Sequence, residues 1–327
     1  MTTCPTRRRA LHLALAAAIP LPLRAQGAFP DRPLRLVVGF PPGSGPDVLT
    51  RLLGQRLAEG LKQQVVVDNR PGAGGQIGTQ AVAKAAADGY TLLVGEVGSI
   101  AIAPPAFSRL PYDPARELAG LAELVRSDFV LLVPAGSPHR TVADLVRAAR
   151  AARERVPFAT FGAGTPGHFG AEEFAEQAGF KVEPIHYRAT GDAVTAIAAG
   201  DVQAAFVSTA LAAAQLKGGK LRALATTARE RAPQLPPEVP TFAEAGFPKL
   251  DFAAWFVAFA PAGTPAAVQE LLERQLLAAL QAPELRARLQ EAGFSVVGAG
   301  RAATQRMLEA EARRWTAVVR ASGFKGD

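Results

Sequence analysis

From Leu34 onward the chain alternates short apolar runs with longer segments whose apolar residues recur at helical spacing, and this order restricts the fold more than any other feature. Residues 34–40 read as a buried strand, after which Val48, Leu49, Leu52, Leu53 and Leu57 share one helical face. Residues 65–67 form a second predicted strand, 76–87 an alanine-rich helix and 90–94 a third strand. A β-α-β-α-β order implies a parallel sheet covered by helices, because a parallel neighbour is reached only through a crossover.

The pattern restarts after Leu124. Strands are predicted at 129–133, 158–161, 184–187, 204–208 and 221–226, with a helix capped by Thr141 and running to Arg155 and another over 169–178. A proline-rich connection over 233–240 leads to a long apolar strand at 252–259, and the end reads as three helices over 265–280, 283–292 and 301–321. The chain thus holds two similar α/β units and a tail too small to be a domain. If the tail packs back onto the first unit, the chain crosses between units twice, near Ser127 and near Phe252. Two crossings make a hinge with a ligand cleft beside it. The expected division is a signal peptide over 1–26, one lobe from 27–126 with 253–327, and a second lobe from 127–252.

The amino terminus has a targeting pattern. Arg7, Arg8 and Arg9 precede an apolar run over 10–23, and small residues follow at Ala25, Gly27 and Ala28. This is expected to be a signal peptide cut between Ala25 and Ala28, by the general or the twin-arginine route, and implies a periplasmic protein. Cys4, the single cysteine, lies inside it, so the mature chain has no thiol for a disulfide, a metal or a nucleophile. The formal charge of +7 includes Arg7, Arg8, Arg9 and Arg24, and about +3 remains without them. No basic run with interleaved aromatics follows, so no nucleic-acid partner is expected.

Two glycine-rich loops follow predicted strands and open helices: Gly43-Ser44-Gly45-Pro46-Asp47 and Gly162-Ala163-Gly164-Thr165-Pro166-Gly167-His168. Glycines let backbone N–H groups approach a ligand, and a helix start favours an anion. One such seat per lobe, with donors at Ser44 and Thr165, suits a small carboxylate. Each loop alone also reads as a tight turn with Ser44 or Thr165 as cap. The second loop matches G-x-G-x-x-G, which keeps an exported nucleotide-dependent oxidoreductase as an alternative, yet the acidic residue expected after the next strand is missing. No G-x-S-x-G elbow or metal-ligand spacing appears. His139 reads as a surface residue and His186 as packing inside a strand, and His168 alone lies beside a candidate pocket.

These strings resemble the extracytoplasmic receptors of tripartite tricarboxylate transporters, the Bug-type receptors. The resemblance spans the mature chain and rests on FPDRPLRLVVGFPPGSGPD, VVVDNRPGAGGQIG, DGYTLLVG, FATFGAGTPGHF, LRALATTARERAPQLPPEVPTFAEAGFP and WFVAFAPAGTP. It implies an α/β, two-lobed periplasmic binding protein fold (type II, a Venus flytrap), no enzymatic activity and no cofactor. It further implies a monomer that captures a small organic acid or amino-acid-like ligand and hands it to membrane permease subunits. A sensor that engages a histidine kinase is the other receptor reading. Phe40, Gly43, Ser44, Gly45 and Asp47 fall on the family's first binding loop. Thr160, Phe161, Gly162, Gly164, Thr165 and His168 fall on its second-lobe loop, and Tyr187 and Ser208 complete that side. Arg70, Gly74 and Gly75 mark the NRPGAGG turn. Glu96 and Ser99 follow the third strand, and Glu96 departs from the small or hydroxyl residues usual there. Ser44, Phe161, Arg188, Ala189 and Gln203 depart as well.

Overall fold

The computed structural model describes residues 29–187 and 190–326; the segment read as a signal peptide, with Cys4, and the Arg188-Ala189 pair lie outside the described residues. Strand β1 (Leu34–Val38), helix α1 (Gly45–Leu61), β2 (Val65–Asn69), α2 (Gln76–Ala83) and β3 (Thr91–Glu96) follow in the expected order. β1 pairs in parallel with β2 on one side and β3 on the other, as the crossovers require. Two short helices, α3 (Ala103–Ala106) and α4 (Pro114–Glu117), lead to the 17-residue strand β4 (Leu118–Pro134). Then come α5 (Val142–Ala151), β5 (Val156–Thr160), α6 (Pro166–Ala178), β6 (Val182–His186), α7 (Thr190–Ala199), β7 (Ala204–Ser208), α8 (Thr209–Leu216) and β8 (Leu221–Thr226). The chain ends with β9 (Ala253–Pro261), α9 (Ala266–Gln281), α10 (Pro283–Glu291), β10 (Ser295–Gly300) and α11 (Arg301–Ser322).

The strands order as β2-β1-β3-β9-β4-β7-β5-β6, with β8 and β10 also on β4. β4 is shared. Its residues up to Asp128 pair antiparallel with β9 and β10, and from Phe129 onward it pairs antiparallel with β7 and β8. Only its second half was expected as a strand. The first half carries Gly120, Glu123, Arg126, Ser127 and Asp128, a pattern with no apolar run. The fold satisfies those groups locally: Arg126 Nε donates to Glu123 Oε1 at 2.6 Å, and Glu123 N–H donates to Thr304 Oγ1 at 2.8 Å. β10 was also unexpected, because its six residues contain Gly298 and Gly300.

The chain passes from one half to the other within β4 and returns through Phe252. Thr227, nearly fully buried, ties the two passages together. Phe129 N–H donates to its Oγ1 (2.9 Å), its own N–H donates to Phe129 O (2.8 Å), and its hydroxyl donates to Phe252 O (2.7 Å). Around it, Phe129 and Phe206 pack on Phe252 at ring separations of 5.1 and 5.2 Å, and Phe242 packs in turn on Phe206 at 5.6 Å and on Phe174 at 5.4 Å. β9 is buried at every position, as its unbroken apolar sequence demands.

The tail is expected to pack back onto the first unit. It touches both halves. Glu311 Oε2 on α11 accepts from Trp255 Nε1 on β9 (2.8 Å) and from Trp315 Nε1 (2.9 Å). Arg314 then reaches Glu173 on α6 at 3.1 Å and Asp251 at 3.3 Å, and the Phe324 ring lies 5.6 Å from Phe169. Among the described residues no helix is long and apolar enough to cross a membrane.

Gly170 in α6 lies against the Phe252 ring, and a β-carbon there would overlap it. A glycine-to-alanine change inside an unobstructed helix gains up to about 1 kcal/mol. Overpacking instead costs about 1–3 kcal/mol. Gly170→Ala is therefore expected to lower stability by about 1–3 kcal/mol in urea unfolding, and a stabilised variant would show that α6 and the returning passage are not packed as described.

Candidate functional site

The loops that leave β1, β3, β5, β6 and β7 all emerge at the edge where β4 changes partners. In the β1–α1 loop Gly43 adopts φ +80°, which a side chain would strain. Asp47, 2% exposed, braces this turn. Its Oδ2 accepts from Gly43 N–H and from Arg51 Nε, both at 2.9 Å, and its Oδ1 accepts from Asn69 Nδ2 at 2.8 Å. Burial alone raises its pKa, but Arg51, Asn69 and the Gly43 amide outweigh that and hold it below the ordinary value. Asn69 Nδ2 also donates to Phe40 O at 3.1 Å. The backbone donor expected at Ser44 turns inward: Ser44 N–H donates to Pro41 O at 3.3 Å, and its hydroxyl reaches the same oxygen at 2.7 Å. Asp47 and Ser44 thus hold the loop's shape with the very groups that were expected to meet ligand.

The loop after β5 is built on the same plan. Thr165 Oγ1 donates to Gly162 O at 2.9 Å and accepts from His168 N–H at 3.4 Å, capping α6. His168, 3% exposed, accepts Gly164 N–H on Nδ1 at 3.1 Å. Burial, with a smaller push from His186, lowers its pKa to about 4, so the ring is neutral near pH 7 with its proton on Nε2. Because the Gly164 amide is already satisfied, the G-x-G-x-x-G match offers a pyrophosphate fewer donors than the motif suggests. Thr160 Oγ1 lies 2.6 Å from His186 Nδ1, and the His186 ring meets His168 at 4.8 Å, edge to face. His186, read from sequence as strand packing, is exposed at the end of β6 beside this loop. Strand alternation could not reveal that, because the last position of a strand escapes the burial its period implies. Phe161 and Tyr187 are half-buried against the smaller core, Tyr187 N–H donates to Thr160 O at 3.1 Å, and Ser208 Oγ caps α8 through Leu211 N–H at 3.4 Å.

The β3 exit and the NRPGAGG turn share a wall with Phe40. A β-carbon on Gly75 would stand 3.6 Å from both the Phe40 ring and Ser99 Cβ. Thr79 Oγ1 lies 2.8 Å from Ser99 Oγ and 3.0 Å from Gly75 O, and Tyr112 donates to Ser99 O at 2.6 Å, so Ser99 is wired into the frame. Arg70 pairs with Asp68 at 2.8 Å. Glu96 is 8% exposed, and its Oε2 accepts Gly98 N–H at 2.8 Å. Among the described residues no basic side chain pairs with it. Burial lifts its pKa to about 7 against the single opposing amide.

Cavities also lie elsewhere. One of about 800 Å³ runs past Arg140, Arg222 and Glu244, and one of about 580 Å³ past Arg126, Asp128, Arg229 and Arg286. Several of their charged groups are engaged with neighbours, as in the Arg231–Glu244, Arg126–Glu123 and Arg222–Ala135 contacts. The strand-end loops, which converge from both halves on one edge, are the better candidate site. Among the described residues no group of side chains is arranged to hold a metal ion.

The sequence model of the tripartite tricarboxylate transporter family receptor matches residues 49–324. The chain is 34% identical to the protein BugT of Bordetella pertussis over 310 residues, which cover 94% of each chain. Among solved structures it is similar to Rpa4515 of R. palustris with adipate (TM-score 0.81, 33% identity, 91% of this chain and 99% of that one). It is also similar to MatC of Rhodopseudomonas palustris with bound malate (TM-score 0.77, 29% identity, 89% and 100%). The fold is accordingly the two-lobed, type II α/β fold of periplasmic binding proteins.

Glu96 links stability to pH. Its pKa is about 7 in the fold and near the ordinary 4.5 when unfolded. Between those values the folded state holds a proton that the unfolded state has lost, so stability falls as pH rises through the window and levels off above it. His168 works the other way: its depressed pKa removes stability as pH falls from 6.5 toward 4. Comparison with Glu96→Gln cancels the histidine. The variant's stability relative to the parent is expected to improve by about 1–3 kcal/mol between pH 5 and pH 8 in urea unfolding. A difference that does not change with pH would mean that Glu96 is not held uncharged by burial.

Proposed function

Because the chain belongs to the receptor family of tripartite tricarboxylate transporters, we propose that it acts in the periplasm without chemistry of its own, closing on a small carboxylate-bearing molecule and presenting it to membrane permease subunits. It is a solute-binding receptor of the tricarboxylate-transporter type. Residues 27–126 with 253–327 form one lobe of this reading, 127–252 the other, and the protein acts as a monomer. The ligand lies between the wall of Phe40, Gly43, Gly45, Glu96 and the NRPGAGG turn and the wall of Thr160, Gly162, Gly164, Thr165 and His186. Asp47, Ser99 and His168 hold those walls in place.

The sharing of β4 between two sheets carries this reading. With strand ladders continuous through the junction and loops converging on both sides of it, the natural low-energy motion is a hinge about β4 and the returning passage. The α1 and α6 starts supply positive partial charge from opposite halves, which suits a carboxylate. Adipate and malate, found with the related structures, are the first ligands to try.

Ligand at a hundred times its dissociation constant adds about 2.7 kcal/mol to stability, enough for a thermal-shift screen of small acids, amides and amino acids to find a binder. Small-angle scattering at saturation with that binder is expected to show a smaller radius of gyration than the free protein. An unchanged radius at saturation would count against closure.

A further inference from the structure

Glu96 is the one buried carboxylate in the candidate site whose charge nothing in the described structure balances. Asp47, also buried, has Arg51, Asn69 and the Gly43 amide. Glu96 has only the Gly98 amide. Its orientation follows from the sheet. Glu96 sits opposite Phe256 in the antiparallel β3–β9 pair, and directly opposed residues point to the same face. The Phe256 ring meets Phe294 at 5.6 Å, and Phe294 lies 3.5 Å from where Gly45 would carry a β-carbon. The carboxylate therefore stands on the face that carries the β1–α1 loop.

A second acceptor stands close by. A β-carbon on Gly98 would fall 2.7 Å from Glu96 Oε2 and 3.8 Å from the carbonyl of Gly74. The edge of Gly98 thus lies directly against the Glu96 carboxylate, with the Gly74 carbonyl beside it. A wall that presents acceptors with no paired cation recognises donors. A dicarboxylate would bring a like charge to a partly dry wall, whereas an ammonium or amide N–H would give the carboxylate the partner it lacks.

We propose that Glu96, together with the Gly74 carbonyl, selects a ligand that carries one carboxylate and, at its other end, an N–H donor: an ammonium or a primary amide. The proposal rests on the reading of the protein as a carboxylate receptor and narrows its ligand class. The carboxylate end goes to the helix starts, and the donor end goes to the first-lobe wall. At pH 8, above the value of about 7 for the free site, Glu96 is mostly ionised and the discrimination is largest.

Titration calorimetry at pH 8 tests this with chain-matched probes: succinate, succinamate and γ-aminobutyrate, and their six-carbon homologues. The parent protein is expected to bind an amide-bearing or amine-bearing probe at least tenfold more tightly than the matching dicarboxylate. Glu96→Gln, which keeps the shape, is expected to reduce that ratio at least tenfold, and Glu96→Ser serves if the glutamine variant does not fold. A carboxylate with a merely structural role would weaken all probes alike. Tighter binding of the dicarboxylate by the parent, or a ratio unmoved by either variant, overturns the proposal while leaving the receptor reading intact. Binding of none of the six overturns the carboxylate-receptor reading, and the selection by Glu96 falls with it.

Discussion

The antiparallel ladder of β4 and β9 is the constraint on which the rest depends. Nine register pairs run from Leu118 opposite Pro261 to Asp128 opposite Ala253, and β4 then continues without a break into the second sheet. A strand shared in this way cannot shift in one half without carrying its register into the other. Thr227 strengthens the junction by binding Phe129 and Phe252 at once. Every loop of the candidate site leaves a strand end at that junction, so the positions of the two walls are inherited from one backbone ladder.

The loops keep their shapes by consuming their own donors. Gly43 N–H goes to Asp47, Gly164 N–H to His168 Nδ1, and Ser44 N–H to Pro41 O. Such bonds lower the conformational entropy that ligand binding must otherwise remove. They also reduce the number of amides left to meet an anion. What remains is a mixed surface: positive partial charge at two helix starts, an aromatic edge at Phe40, an exposed imidazole at His186, and the isolated acceptor Glu96.

Much of the architecture was legible because apolar periodicity reports burial. β7 and β8 fall at the expected residues, and the fully buried β9 was visible as an unbroken apolar run. The first half of β4 was hidden because it carries polar side chains among its apolar ones; Arg126 bonds Glu123, and the Glu123 backbone N–H bonds Thr304 on α11. β10 was hidden by glycine, and the reach of α11 to α6 rests on Arg314, which carries no periodic signal. In the candidate site, the sequence marks the loops, and the structure shows which of their polar groups are engaged within the loops themselves. Asp47 and His168 look like ligand contacts because they are polar and beside glycines; the bonds that occupy them depend on how each loop folds back on its helix. Glu96 stood out as a carboxylate among small residues, and its lack of a cation could be learned only from its neighbours in space.

A crystal structure with a bound ligand from the screen tests the central claim most directly. The account predicts density for the ligand between the Gly43–Gly45 and Gly162–Thr165 loops, with the halves brought together by rotation about β4 and the Phe252 passage. Ligand seated instead in the cavity lined by Arg126, Arg229 and Arg286, or on one half alone with the junction unmoved, would contradict it.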